Sequence, residues 1–285
     1  AAIAAVLLTS SWAAFHFEAA GARRAGVVLF DDYHNDNWGR SDRRMDERWY
    51  GDYSTYNMNA ALEWLGHYFP ASVNRGRKID RELLEGASVL VLKTPSKPYE
   101  PEEVEAIHEW VEHGGSLLAI GDHTDLHGMN THLNVVLRPY GVTLNFDAVS
   151  DAHSGSFNEY VTRPWVPEPG ILASLDRVEF MTGCSISTAG WPGRAMVGER
   201  AARDRGDYTR GSNFGARRSD PSTGVGPALL ALGRTTGAGK VAVLTDQTIF
   251  SSYSLYKSGH DDLLLSVMGW LSRAPSAGLA RLLLV

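Results

Sequence analysis

The chain has 285 residues, 44% of them hydrophobic, and carries a net charge of −6. That supplies a large core, and the negative balance argues against nucleic acid as a partner, because binding a phosphate backbone needs a basic face. Cys184 is the single cysteine, which excludes an intrachain disulfide and a thiolate metal cluster.

The chain opens on an uncharged run from Ala1 to Phe17, and Glu18 is its first charge. The run is shorter than the roughly 20 apolar residues that span a bilayer. It reads as the outer part of a membrane helix or as a signal segment without its basic start, with Trp12 and His16 placed to suit an interface. At the far end, Leu279 to Val285 is again apolar. The expectation is a membrane-associated protein, attached through these terminal segments, with its soluble domain outside the bilayer. The plainer alternative is a pair of terminal helices packed on the domain. The expected division is therefore an apolar segment at 1–24, one domain at 25–274 and an apolar tail at 275–285.

Within the domain, Gly26 to Asp31 is a first strand, β-rich and flanked by charge. Met58, Leu62, Leu65 and Phe69 recur at helical spacing and predict a helix from Ser54 to Phe69, stopped by Pro70. Ser88 to Leu92 is a continuous apolar run of strand length, which marks a strand buried on both faces. Glu100-Pro101-Glu102-Glu103 opens the next helix with proline and acids where the helix dipole favours them, and Gly114-Gly115 ends it. Ser116 to Gly121 is another buried strand. This strand–helix–strand succession predicts right-handed crossovers and a parallel, doubly wound α/β sheet.

From about 147 to 223 the pattern is irregular, with short strands expected at Val178–Met181 and Ala195–Val197. This stretch reads as a β-rich insertion covering a sheet edge, and its six arginines between Arg200 and Arg218 as a solvated loop. Cys184 reads as a packed, inert thiol. Ala228 to Gly233 and Lys240 to Asp246 form a predicted hairpin around Gly237-Ala238-Gly239. A helix from Asp261 to Ser272 closes the unit, with Leu264, Val267, Met268 and Leu271 on one face.

In a parallel sheet, ligands bind beyond the carboxyl ends of the strands. Those ends are rich in acids and histidines: Asp31, Asp32, His34 and Asp36; Asp122, His123, Asp125 and His127, then Asn130 and His132; and Asp246. Asp32, His34, Asp122, His123, Asp125, Asn130 and Asp246 are the candidate ligand-binding residues. The order Asp-His-x-Asp-x-His over 122–127 offers carboxylate and imidazole donors in one loop, so Asp122, His123, Asp125 and His127 are candidate ligands for a divalent metal ion. The alternative is that these groups cap helices and cross-link loops. No Gly-rich dinucleotide fingerprint, Walker sequence or Gly-x-Ser-x-Gly elbow is present.

The residues from Ser88 to Leu92, Pro101 to Glu103, Trp110-Val111, Gly114-Gly115 and Leu117 to Asp122, with Gly239 to Asp246, Asp262 to Leu264 and Trp270-Leu271, resemble the class I glutamine amidotransferase-like (flavodoxin-like) superfamily. The resemblance is to its non-catalytic branch of uncharacterised bacterial membrane proteins, gliding-motility-type transporter components and an intraflagellar-transport domain. It implies a flavodoxin-like α/β fold. Where catalytic members carry a cysteine after the matching strand, this chain has Gly121-Asp122-His123, so glutaminase activity is not expected. What the resemblance implies is a non-catalytic ligand-binding or sensory domain that meets a small polar ligand or a protein partner. A metal-dependent hydrolase built on the Asp/His cluster and a structural assembly module are the alternatives.

Overall fold

The computed structural model describes residues 26–35, 39–46, 53–153, 160–164, 178–181, 183–190, 193–204 and 224–272. Five parallel strands form its centre: β1 (Val28–Asp31), β2 (Ala71–Asn74), β3 (Val89–Lys93), β4 (Ser116–Ile120) and β12 (Gly239–Leu244), in the order β2-β1-β3-β4-β12. This is the doubly wound α/β arrangement expected. The order reverses between β1 and β3, which makes that gap the topological switch point.

Alternation of the apolar residues sends each strand into two cores. Val28, Phe30, Val89, Val91, Leu118, Ile120, Ala242 and Leu244 point to one face, with α1 (Asn59–Gly66) and α5 (His260–Leu271). Leu29, Leu90, Leu92, Leu117, Ala119, Val241 and Val243 point to the other, with α2 (Arg81–Glu85), α3 (Pro101–Glu112) and α4 (Met129–Leu137). A strand buried on both faces must be apolar at every position, and for that reason these segments read as unbroken hydrophobic runs.

Beyond β12 the sheet becomes antiparallel. β11 (Gly224–Thr236) pairs with β12, and β10 (Arg194–Asp204) pairs with β11. The far side of β10 takes β6 (Ala148–Asp151) at one end and β7 (Tyr160–Pro164) at the other, and β7 pairs with β8 (Val178–Phe180). Of the described strands of the 147–223 stretch, β6, β7, β8 and β10 thus extend the main sheet. β5 (Val142–Leu144) and β9 (Ile186–Thr188) make a separate ribbon.

Some boundaries differ from the sequence expectation. The helix expected over 54–69 is a 3-10 turn at Tyr53–Tyr56 followed by α1. The break falls where Arg40 captures the backbone: Met58 N–H donates to the Arg40 carbonyl, and the Arg40 N–H donates to the Asn57 side chain. The Asp36–Trp38 stretch of the loop after β1, the arginines from 205 to 218 and both terminal segments lie outside the described residues.

Candidate functional site

At the switch point, the loop after β1 meets the end of β3 and the start of α3. Lys93, at the end of an otherwise apolar strand, places its ammonium 2.6 Å from Asp32 Oδ1, and both side chains are wholly buried. Lys93 also donates to the Gly39 carbonyl at 2.5 Å. The Asp32 carboxylate accepts from the Ser41 N–H at 2.9 Å and its hydroxyl at 3.1 Å. A buried ion pair holds only when such additional bonds occupy the remaining lone pairs and protons. Asp32 is thereby committed to pinning its own loop.

His34 bridges two carboxylates. Its Nδ1 lies 2.7 Å from Asp31 Oδ2, and its Nε2 lies 3.2 Å from Glu103 Oε2. Burial opposes a charge on this ring, but the Asp31 hydrogen bond and the attraction of Asp31 and Glu103 outweigh it, so its pKa is raised above 6.5. Both acids are tied elsewhere too. Asp31 accepts from Asn74 at the end of β2, and Glu103 accepts from the Glu100 and Ile79 N–H groups. Glu103 therefore closes the capping box of α3 while facing His34. Tyr99 stacks on the His34 ring at 4.2 Å. Its buried hydroxyl has no hydrogen-bond partner.

The loop after β4 is built differently. Asp122 is buried; burial first, then the charge of Asp246, push its pKa well above the carboxylate range. Its Oδ1 accepts from the His123 N–H at 2.7 Å. Burial lowers the pKa of His123 to about 4, and its Nδ1 sits 2.8 Å from Thr124 Oγ1. Asn130 clamps the turn, accepting from the Asp122 N–H and donating to the Asp122 carbonyl. Asp246 accepts from the Met181 and Thr248 N–H groups and so ties the end of β12 to the segment after β8.

From Thr124 the backbone runs through left-handed conformations at Thr124, Asp125, His127 and Gly128. Asp125 spends its carboxylate on the N–H and hydroxyl of Thr131 in the first turn of α4, at 2.8 and 2.6 Å. His127 is exposed. The metal set Asp122, His123, Asp125 and His127 therefore does not assemble: His123 Nε2 stays 3.8 Å from Asp122 Oδ1, but Asp125 is taken by Thr131 and His127 is exposed. Among the described residues, no group of three or more His, Cys, Asp and Glu side chains is placed to hold a metal ion.

The seven candidate residues divide into separate networks. Asp32 and His34 belong to the switch point; Asp122, His123, Asn130 and Asp246 belong to the β4–β12 end; Asp125 caps α4. Sequence reasoning missed Lys93, Glu103 and Tyr99. A lysine ending a fully apolar strand was the available signal for the first. Gln247 is buried beside Gly39, and neither of its amide atoms has a hydrogen-bond partner. Cys184 is buried and free, with its pKa raised chiefly by burial. Gly121 sits where a side chain would crowd its neighbours: a Cβ there would lie 2.7 Å from Leu144 and 2.8 Å from Asn130.

The family model that matches is the IFT52 GIFT domain, over residues 62–161, well under half of the chain. No curated protein matches. Among solved structures, the mmIFT52 N-terminal domain is similar at 17% identity and a TM-score of 0.61, covering 86% of this chain and 97% of that one. A cytoplasmic protein from Salmonella typhimurium matches at 12% identity and 0.51, covering 87% of this chain and 99% of its own. A ThuA-like protein from Bacteroides uniformis matches at 12% and 0.50, covering 93% and 99%. At these identities the likenesses establish the fold.

These findings correct two expectations. The resemblance to glutamine amidotransferase-like proteins gives way to the IFT52 GIFT domain, whose model is the one that matches, with IFT52 and ThuA-like structures as neighbours. The two groupings share the doubly wound sheet, and the residues behind the first reading were those that build this sheet. The membrane-associated localisation is corrected as well. The matching domain is an intraflagellar-transport one, and among the described residues no helix is long and apolar enough to cross a membrane. The terminal runs that prompted the membrane reading lie outside the described residues.

Proposed function

We propose that this domain is a structural assembly module that holds a protein partner. The observation that carries the reading is the match of residues 62–161 to the IFT52 GIFT domain model. The likeness to the mmIFT52 N-terminal domain over 86% of the chain supports it. So does the chemistry at the strand ends. Asp32, Asp125, His34 and Glu103 spend their polar atoms on the chain's own groups, which stiffens loops rather than presenting reactive groups. Four described strands of the 147–223 stretch, β6, β7, β8 and β10, pair into the main sheet, which supports reading 25–274 as one domain.

The test is native mass spectrometry of the tagged chain isolated from its own host after cross-linking. A heteromeric complex of fixed stoichiometry, retained by Asp122→Asn, is the expected result. A free monomer, or a turnover that Asp122→Asn abolishes, would sink the reading.

A second reading, binding of a small polar ligand beside the switch point, is favoured by Gln247, whose buried amide lacks partners for both its donor and its acceptor. Leaving such groups unpaired costs about 1–3 kcal/mol each, so a ligand or water that pairs them is stabilised. Gln247→Leu separates the cases. If it raises thermal stability and leaves complex formation intact, the amide holds no ligand needed for assembly.

A further inference from the structure

The face of the molecule carrying α1 and α5 presents an aromatic cluster that the strand-end networks do not use. Trp64 on α1 is its hub. Tyr68 packs against Trp64 at 5.2 Å with an interplanar angle of 71°, His67 at 6.4 Å and 71°, and Tyr256 at 6.0 Å and 88°. Tyr256 comes from the turn before α5 and is 62% exposed, whereas most rings of its size are drawn into a core. The cluster continues along the same turn, where Tyr253 packs edge-on against Tyr56 at 5.9 Å. An exposed ring face such as that of Tyr256 attracts a cation through its quadrupole.

Two acids stand at this cluster, alongside the basic Arg44 and Lys257. Glu63, exposed beside Trp64, and Asp261, in the first turn of α5, both act on the Tyr256 hydroxyl; burial and then these two acids raise its pKa. Glu63 pairs with Arg44 at 3.1 Å, with the Arg44 and Glu63 side chains 82% and 54% exposed. A pair so exposed is weak and readily exchanged for another cation. The turn already uses this chemistry on its own account: the Lys257 ammonium lies 4.8 Å from the Tyr253 ring centre.

We infer that the Trp64–Tyr68–Tyr256 cluster, rimmed by Glu63 and Asp261, docks a segment of the partner protein that presents an arginine or lysine side chain. The inference rests on the assembly reading and names the chemistry of one contact within it. Aromatic anchors ringed by complementary charge are the pattern that concentrates affinity at protein interfaces. The acids steer a cationic segment in, and the rings hold it once water is displaced.

The test uses the full chain and two fluorescent peptides of equal length, one repeating Arg-Gly and one repeating Glu-Gly, with binding read by anisotropy. The arginine peptide should bind and the glutamate peptide should not. Tyr256→Ala should weaken binding tenfold or more. The double variant Glu63→Gln, Asp261→Asn should weaken it several-fold and flatten its salt dependence. Glu102→Gln with Glu105→Gln, two exposed acids of α3 on the opposite face of the sheet, serves as control for attraction by net charge. Equal weakening in that control, or unchanged binding by Tyr256→Ala, overturns the inference. Circular dichroism on each variant keeps loss of fold distinct from loss of binding. If the peptide fails to bind while the native complex still forms, the cation site falls and the assembly reading stands. Peptide binding without a native complex would sink the assembly reading alone.

Discussion

The two polar ends of the central sheet solve the same problem in opposite ways. At the switch point, the buried groups are arranged so that each charge meets an opposite one: Lys93 against Asp32, and His34 between Asp31 and Glu103. At the β4–β12 end, acid faces acid, and the carboxyl of Asp122 is driven toward its neutral form while His123 is held uncharged until about pH 4. In the same fold and at similar depth, the partner decides whether burial preserves a charge or removes it. The first arrangement is costly to break, and the second is costly to ionise.

Breaking the first should give the largest effect. Lys93→Met leaves the Asp32 carboxylate buried without its counter-ion, and urea unfolding should show a loss of about 3–5 kcal/mol. Adding Asp32→Leu removes the stranded charge and should recover most of that loss. If the single and double variants are equally unstable, the pair is not what holds the loop.

The second end should respond with the opposite sign. The unfolded chain releases the Asp122 proton near 3.8, whereas the folded protein retains it well above that value. Stability is therefore undiminished below about pH 3.8 and falls as pH rises from there toward the folded-state value, by at most ~1.4 kcal/mol per pH unit. Asp122→Asn keeps the acceptor for the His123 N–H and removes the proton equilibrium. Its melting temperature should match the parent at pH 3.5 and exceed it at pH 7.

His34 sharpens the contrast. Its folded-state pKa is raised above 6.5, so its contribution is complete below pH 6.5 and is lost as pH climbs through the raised value. His34→Gln should flatten the fall in melting temperature between pH 6.5 and 9. An unchanged slope would mean that the ring is not charged in the folded protein.

The smallest expected effect lies in the turn between the two ends. Asp125→Ala removes the bonds to Thr131 and leaves a left-handed residue without its compensation, for a loss of about 1–2 kcal/mol. Asp125→Asn, which tolerates that backbone and still accepts, should lose less than half as much. Thermal unfolding of the two variants side by side checks this.

Parts of this organisation could be read in advance. The runs at 88–92 and 116–120 had to be doubly buried strands, and Pro101 with Glu102 and Glu103 had to open a helix, because these signals are local. α4 was not anticipated, although Asp125 reaches its Thr131, since a nine-residue helix with a polar start carries little periodic signal. The 13-residue β11 was seen only in its apolar middle, because its two ends are partly exposed. The acid-and-histidine content of the strand ends was legible, and its meaning was not. A spacing of Asp-His-x-Asp-x-His states which donors are near in sequence. It does not state that the left-handed residues from Thr124 onward separate Asp125 and His127 from Asp122 and His123, which stay 3.8 Å apart.

The sequence by itself determined the layered α/β sheet, its buried strands and the polar character of their carboxyl ends, since hydrophobic periodicity and capping act over a few residues. Only the tertiary structure decided which polar group faces which. Lys93 finds Asp32 across 61 positions because β1 and β3 are neighbours. Asp122 meets Asp246 because β4 and β12 are neighbours. Strand order is settled by the packing of the whole sheet, and it is this order that set opposite charges together at one end and two acids together at the other.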